Sequence, residues 1–176
     1  MELGLIHIYC GDGKGKTTAA MGLGMRAVGR QKKVLLTQFL KDNETGELNS
    51  IDRLGNDFEV FKGAPVKNFF KFMSEEEQID TKREHEERFF KVTKKAAEEN
   101  FDLLILDEVI ASTNLDLIPL SEVINFLENK PKGLEVVLTG RNPNEKLVEL
   151  ADYVSEIKAV KHPYEKGIGS RIGIEK

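Results

Sequence analysis

The sequence predicts a three-layer α/β domain: a mostly parallel sheet with helices on both faces. Short apolar runs recur along the 176 residues, helical patterns separate them, and the first run opens into a glycine-rich turn. Strands that read as continuous apolar runs are buried on both faces, which is the habit of parallel sheets covered by helices. Residues 5–10 (LIHIYC) are the first such run. A helix follows over 16–29, with small residues (Ala19, Ala20, Gly22, Gly24) where backbones can approach. Residues 33–40 (KVLLTQFL) are a strongly apolar strand, and 57–62 (DFEVFK) alternate as a further one. Ser74 and Glu77 have capping-box spacing and open a long polar helix to about Asn100. Residues 102–107 (DLLILD) form a buried strand ending in acid. A helix over 119–129 has Pro119 in its first turn. Strands over 134–139 and 153–159 flank a helix at 144–150. The tail from 161 to 176 holds Gly167, Gly169 and Gly173, and reads either as an ordered cover over a site or as a frayed end.

Charge and composition narrow the function. Lys and Arg number 26 against 30 Asp and Glu, a net charge of −4. Duplex affinity rests on neutralising phosphates, so nucleic acid is not an expected partner. Cys10 is the one cysteine, so no intrachain disulfide can form, which suits a reducing compartment. No apolar run approaches the roughly 20 residues that span a bilayer. The first residues lack a basic segment followed by an apolar one, so no signal peptide is read there. The expectation is a single cytoplasmic domain over 1–176, with no membrane partner.

Strand 5–10 runs directly into Gly11-Asp12-Gly13-Lys14-Gly15-Lys16-Thr17-Thr18 and then a helix. Three glycines let the backbone turn its N–H groups into one concavity, and the helix start adds partial positive charge. Lys16 can reach phosphate oxygens, and the Thr17 hydroxyl can ligate Mg²⁺. In the usual spacing the first glycine would be residue 10. Cys10 stands there and the glycine is Gly11, so this loop is one residue short. Asp107-Glu108 closes a hydrophobic strand, where a carboxylate commonly holds Mg²⁺ directly or through water. The plain alternative is a strand-terminal cap.

These residues carry a resemblance. The stretches 9–29 (YCGDGKGKTTAAMGLGMRAVG), 34–41 (VLLTQFLK) with Gly46-Glu47, 102–109 (DLLILDEV), 136–143 (VVLTGRNP), 150–157 (LADYVSEI) and 161–175 (KHPYEKGIGSRIGIE) resemble the phosphate-loop family of ATP:corrinoid (cob(I)alamin) adenosyltransferases. The resemblance implies a RecA-like phosphate-loop fold. It also implies that the Co(I) of a reduced corrinoid attacks C5′ of ATP and inorganic triphosphate leaves, with ATP reversed in the loop relative to ordinary ATPases. Gly11, Asp12, Gly13, Lys14, Gly15, Lys16, Thr17 and Thr18 would then hold the triphosphate, with Lys16 and Thr17 catalytic. Thr17, Asp107 and Glu108 would hold Mg²⁺, for which Mn²⁺ could substitute. Gln38 and Lys41 are expected near nucleotide or corrinoid. Arg141, Lys166 and Arg171 are candidate phosphate ligands, with a structural ion pair (Arg141) or solvated charge (Lys166, Arg171) as the plain alternative. The resemblance further implies a homodimer and a reduced flavoprotein as electron donor.

Some features depart from the family. Asp42 replaces a frequent glycine. The chain starts ten residues before Gly11, so closure by an N-terminal extension, as in longer relatives, is not expected. There is no tryptophan, although some relatives place an aromatic residue near the corrinoid. Phe69, Phe70 and Phe72 crowd one segment; they are either core or the apolar face that keeps the lower side of the corrin free of a cobalt ligand. His162 is a candidate corrinoid contact. His7 is expected to be packed, His85 solvated, and Cys10 a packed small residue. Two rival functions share the loop and the acid pair: a small nucleoside kinase or ATPase, and a nucleotide-dependent corrinoid-binding module.

Overall fold

Residues 3–175 are described by a computed structural model; Met1, Glu2 and Lys176, the ends of the N-terminal and tail readings, lie outside them. The strands are β1 (Ile6–Cys10), β2 (Val34–Gln38), β3 (Phe58–Val60), β4 (Leu103–Asp107), β5 (Glu135–Thr139) and β6 (Tyr153–Glu156). They form one sheet in the order β3-β2-β4-β5-β1-β6, and every pairing is parallel. Their carboxyl ends therefore share one edge, the edge where sheets of this kind bind ligands.

The helices are α1 (Lys16–Val28), α2 (Gly46–Ile51), α3 (Glu75–Glu98), α4 (Val109–Asn114), α5 (Leu120–Asn129) and α6 (Glu145–Leu150). They cover both faces. Ala20 and Met21 of α1 and Leu48 and Ile51 of α2 pack with Leu36, Leu103, Ile105 and Val137. Phe89 and Val92 of α3, Ile110 of α4, Val123 of α5 and Leu147 of α6 pack with Leu35, Leu104, Leu106 and Val136. Successive residues of β4 thus serve opposite cores, as the two-residue strand period requires. The capping box forms: the Glu77 N–H donates to Ser74 Oγ at 3.2 Å, and the Ser74 N–H to Glu77 Oε2 at 2.7 Å. No helix among the described residues is long and apolar enough to cross a membrane.

The structure departs from expectation in several places. Pro119 is the N-cap of α5, one place before its first turn. β6 ends at Glu156, because the chain then turns across the glycine-rich loop. The six-residue helices α2 and α4 escape the sequence reading, whereas α6, equally short and capped by Asn144, is read from it. His85 is not solvated but fully buried, on the face of α3 against Phe39. Phe69 and Phe72 are not core: they are 77% and 72% exposed, on either side of a half-buried Phe70 in a 3₁₀ turn at Phe70–Phe72. The tail residues 161–175 are exposed throughout, with a 3₁₀ turn at Pro163–Lys166.

Candidate active site

The loop after β1 is shaped by what it packs against as well as by what it could bind. The Gly13 N–H donates to the Ile157 carbonyl at 2.8 Å, and a Cβ on Gly13 would lie 2.7 Å from that oxygen. One on Gly11 would lie 2.4 Å from it. These two glycines are therefore required by the close passage of the chain leaving β6. The Ala159 N–H donates to Asp12 Oδ1 at 3.1 Å and lowers the Asp12 pKa, so Asp12 fastens the same segment. Gly15 is the left-handed cap of α1, and no side chain caps this helix. The first-turn amides of α1 are left to face an anion.

Lys16 is buried, and its Nζ donates to the Gly13 carbonyl at 2.9 Å. Burial pushes its pKa down, against the pull of Glu108, Asp12 and Asp107; Arg141 adds to the lowering. The Thr17 hydroxyl donates to Asp107 Oδ1 at 2.9 Å. Thr139 Oγ1 donates to the same oxygen at 2.7 Å and accepts the Glu108 N–H at 2.8 Å. Gln38 Nε2 donates to Asp107 Oδ2 at 3.0 Å, and Gln38 Oε1 accepts from Thr45 at 3.0 Å. The start of α1 and the ends of β2 and β5 thus aim three side chains at one buried carboxylate.

Glu108 has φ 59°, a left-handed conformation that a residue with a side chain holds under constraint. Burial and the Asp107 charge raise its pKa, while Lys41, Lys16 and Arg141 oppose that rise. Arg141 is exposed, and Asn114 Nδ2 fixes its turn by donating to the Arg141 and Asn142 carbonyls at 3.0 and 3.2 Å. Cys10 is buried, and burial raises its thiol pKa, as a packed and inert thiol requires. His7 is largely buried and stacks on Tyr153.

Loop, acid pair, Gln38, Lys41 and Arg141 therefore converge on one region. At the end of the tail, Glu175, paired with Arg171 at 2.8 Å, also senses the Lys14 charge. Lys166 is exposed. His162 Nδ1 accepts the Tyr164 N–H at 3.2 Å and so caps the tail's 3₁₀ turn. The left-handed residues after β2 are Leu40 and Asn43, with φ 56° and 64°, so position 42 does not demand glycine and Asp42 is tolerated there. The site has two members that sequence reasoning misses, Thr139 and Thr45; a polar residue ending an apolar strand is the available signal for Thr139. A cavity of about 570 Å³ between α3 and α5 is lined by Phe89, Phe90 and Phe126 and by none of these residues.

The family model for "ATP:corrinoid adenosyltransferase BtuR/CobO/CobP" matches residues 2–175. The chain belongs to this family. It is 36% identical over 180 residues to the corrinoid adenosyltransferase of Escherichia coli (strain K12), covering 99% of this chain and 86% of that protein. The corrinoid adenosyltransferase CobA of Salmonella typhimurium (strain LT2) is 34% identical, with the same coverage of both chains. That of Pseudomonas aeruginosa is 30% identical, covering 99% of this chain and 84% of its own. The match spans loop, acid pair and tail together, so the family's shared features are not confined to a generic phosphate loop.

Proposed function

We propose that this chain performs its family's reaction as a single RecA-like phosphate-loop domain over 1–176, in the cytoplasm, with the 161–176 tail joining the site. The Co(I) of a reduced corrinoid attacks C5′ of ATP. A Co–C bond forms, the C5′–O bond breaks, and triphosphate leaves with the electron pair. The chain needs no base or nucleophile of its own; it must align two substrates and stabilise a polyanion. The observation that carries the reading is the bond from Thr17 to Asp107, which joins the loop to the acid pair in a chain the family model matches over residues 2–175. The rivals, a kinase or ATPase and a non-enzymatic corrinoid module, are not favoured by that match.

Lys16, the first-turn amides of α1 and Arg141 hold the triphosphate in this reading, with Lys14 and Thr18 beside them and Lys166 and Arg171 drawn in from the tail. Thr17, Asp107 and Glu108 suit Mg²⁺, or Mn²⁺ in its place. They are hard oxygen donors, and among the described residues no cluster of three or more His, Cys, Asp or Glu forms a protein-only metal cage. A cation held by few side chains, with water and phosphate completing its shell, is the usual state of Mg²⁺. When bound, the ion supplies positive charge to the leaving triphosphate. Gln38 orients Asp107, Lys41 tempers Glu108, and Phe69, Phe70, Phe72 and His162 lie on the corrinoid side. A homodimer supplied with electrons by a reduced flavoprotein completes the reading.

The test is incubation with MgATP and chemically reduced cobalamin. The Co–C product spectrum should appear in step with equimolar triphosphate. ADP and phosphate as the products would instead establish the kinase or ATPase reading.

A further inference from the structure

Helix α3 carries a polar cluster that the loop chemistry does not use. Arg88 is 2% exposed and His85 fully buried. A buried guanidinium is costly unless all its donors are met. Arg88 pairs with Glu84, but its other donors go to main chain: Nη1 to the Gln38 carbonyl at 2.7 Å and Nη2 to the Ala64 carbonyl at 3.2 Å. The Ala64 N–H donates back to Glu84 Oε1 at 3.0 Å. Gly63 packs so closely that a Cβ there would sit 2.0 Å from Arg88 Nε. His85 Nε2 accepts the Leu40 N–H at 3.3 Å, so its proton is assigned to Nδ1. That proton is shared between the Thr81 carbonyl at 2.9 Å and Glu84 Oε2 at 3.1 Å.

Two chain segments meet on this cluster. The first leaves β2: Gln38 bonds Asp107, Leu40 is left-handed at φ 56°, and the Lys41 charge acts on Glu108. The second runs from Phe61 to Val66 and leads into Phe69–Phe72. They are stitched together by the Val66 N–H on the Lys41 carbonyl at 2.8 Å and by Asn43 Nδ2 on the Gly63 carbonyl at 2.8 Å. A pair serving stability alone could satisfy itself on its own helix. Here the donors and acceptors are spent on the backbone of two separate segments, one of which carries Gln38 and Lys41.

We propose that Glu84, His85 and Arg88 are positioning residues, a clasp on α3 that sets the 38–41 turn and the 64–72 segment in one relative register, so that nucleotide and corrinoid meet in line. The clasp rests on the placement of the two substrates proposed above. A left-handed Leu40 is a strained conformation that its surroundings must impose, and the His85 ring supplies the acceptor that imposes it. Loss of that acceptor lets the turn relax, and Gln38 and Lys41 move with it.

The test uses His85→Leu, His85→Gln and Arg88→Lys in the full chain. His85→Gln keeps an acceptor near the Nε2 position, while Arg88→Lys keeps charge and loses the fork. KM for ATP and for cob(I)alamin is measured beside the thermal midpoint and the exchange rate of the Leu40 amide. His85→Leu should speed Leu40 exchange and raise KM for ATP about tenfold, the scale of one lost hydrogen bond. His85→Gln should stay within about twofold of wild type on both counts. Arg88→Lys should raise both KM values; if it fails to fold, the two His85 variants carry the test. Wild-type KM values in His85→Leu overturn the clasp, as does equal behaviour of the Leu and Gln variants. Lys16→Ala runs alongside: if it leaves both the KM for ATP and the single-turnover rate unchanged, the nucleotide placement itself fails, separately from the clasp.

Discussion

Lys16 shows how much one side chain is asked to do. Burial lowers its pKa, and its ammonium is parked on the Gly13 carbonyl, 2.9 Å away, within its own loop. It is a desolvated cation with a weak partner, ready to exchange that partner for a phosphate oxygen. Lys16→Ala should therefore leave the fold intact and slow transfer by about 2–4 kcal/mol in barrier, roughly 30- to 1000-fold. Single-turnover rates at saturating ATP decide it, and a near-normal rate removes Lys16 from the mechanism. Residues such as Lys16, Thr17 and Asp107 are legible in the sequence because their chemistry is local: a loop spacing, or an acid ending an apolar run. Thr139, His85 and Arg88 are not. Their roles come from partners 24 to 50 positions away along the chain, which no spacing records.

At the scale of elements, the legible ones announce themselves by a long pattern or a cap. The capping box of α3, the apolar strands and the short helix α6 are readable; helices α2 and α4 and the early end of β6 are not, because tertiary contacts decide them. The buried side of α3 makes its own prediction. Burial would raise the Glu84 pKa, but hydrogen bonds from His85 and Arg88, the Arg88 charge and the Ala64 N–H outweigh it and hold it at about 2, against an ordinary 4.5. A depressed carboxylate contributes stability that is fully present above its unfolded pKa and is lost as pH falls toward the folded one. Glu84 is a quarter exposed, and its contribution is about 3 kcal/mol at most, lost between pH 4.5 and 2. Urea midpoints should show Glu84→Gln less stable than wild type at pH 7, with the gap closing across that window; a gap independent of pH would deny the linkage. The 3₁₀ turn after the clasp is the other telling element. Phe69 and Phe72 meet edge to face at 6.4 Å and are left largely in solvent, with Lys71 Nζ 4.7 Å from the Phe72 ring centroid. An exposed aromatic pair gains from a partner that takes it out of water. Phenyl rings offer no ligand to cobalt and give water no hydrogen-bond partner. Electron paramagnetic resonance of bound cob(II)alamin with MgATP should therefore show a four-coordinate signal that at least one of Phe69→Ala, Phe70→Ala and Phe72→Ala loses. A variant that loses the signal yet adenosylates pre-reduced Co(I) assigns its ring to reduction. Wild-type signals in all three would leave these rings without that role.

Across the whole molecule, the fold puts all six strand ends on one edge, and the site is assembled there from residues that hold and orient. In the proposed reading Lys16, Thr17 and Arg141 answer to phosphate and its cation, while Gln38 and Thr139 are spent on fixing Asp107. Asp107 is buried, with both its oxygens engaged by Thr17, Thr139 and Gln38, so it is poorly placed to take a proton from an attacking water. Glu108, the neighbouring acid, is held by its backbone conformation and by the Thr139 hydroxyl on its N–H. A phosphatase or kinase must align a nucleophile on the γ-phosphorus, whereas alkyl transfer asks only that C5′ face the corrinoid while the triphosphate is held. ATP alone should therefore be hydrolysed far more slowly than it is consumed with cob(I)alamin, by at least about a hundredfold, the scale of one missing general base. Phosphate and triphosphate release are followed with and without reduced corrinoid at equal ATP. Phosphate appearing without corrinoid at a rate rivalling transfer would mean that the site aligns water after all, and that ATP lies in the loop as it does in an ordinary ATPase.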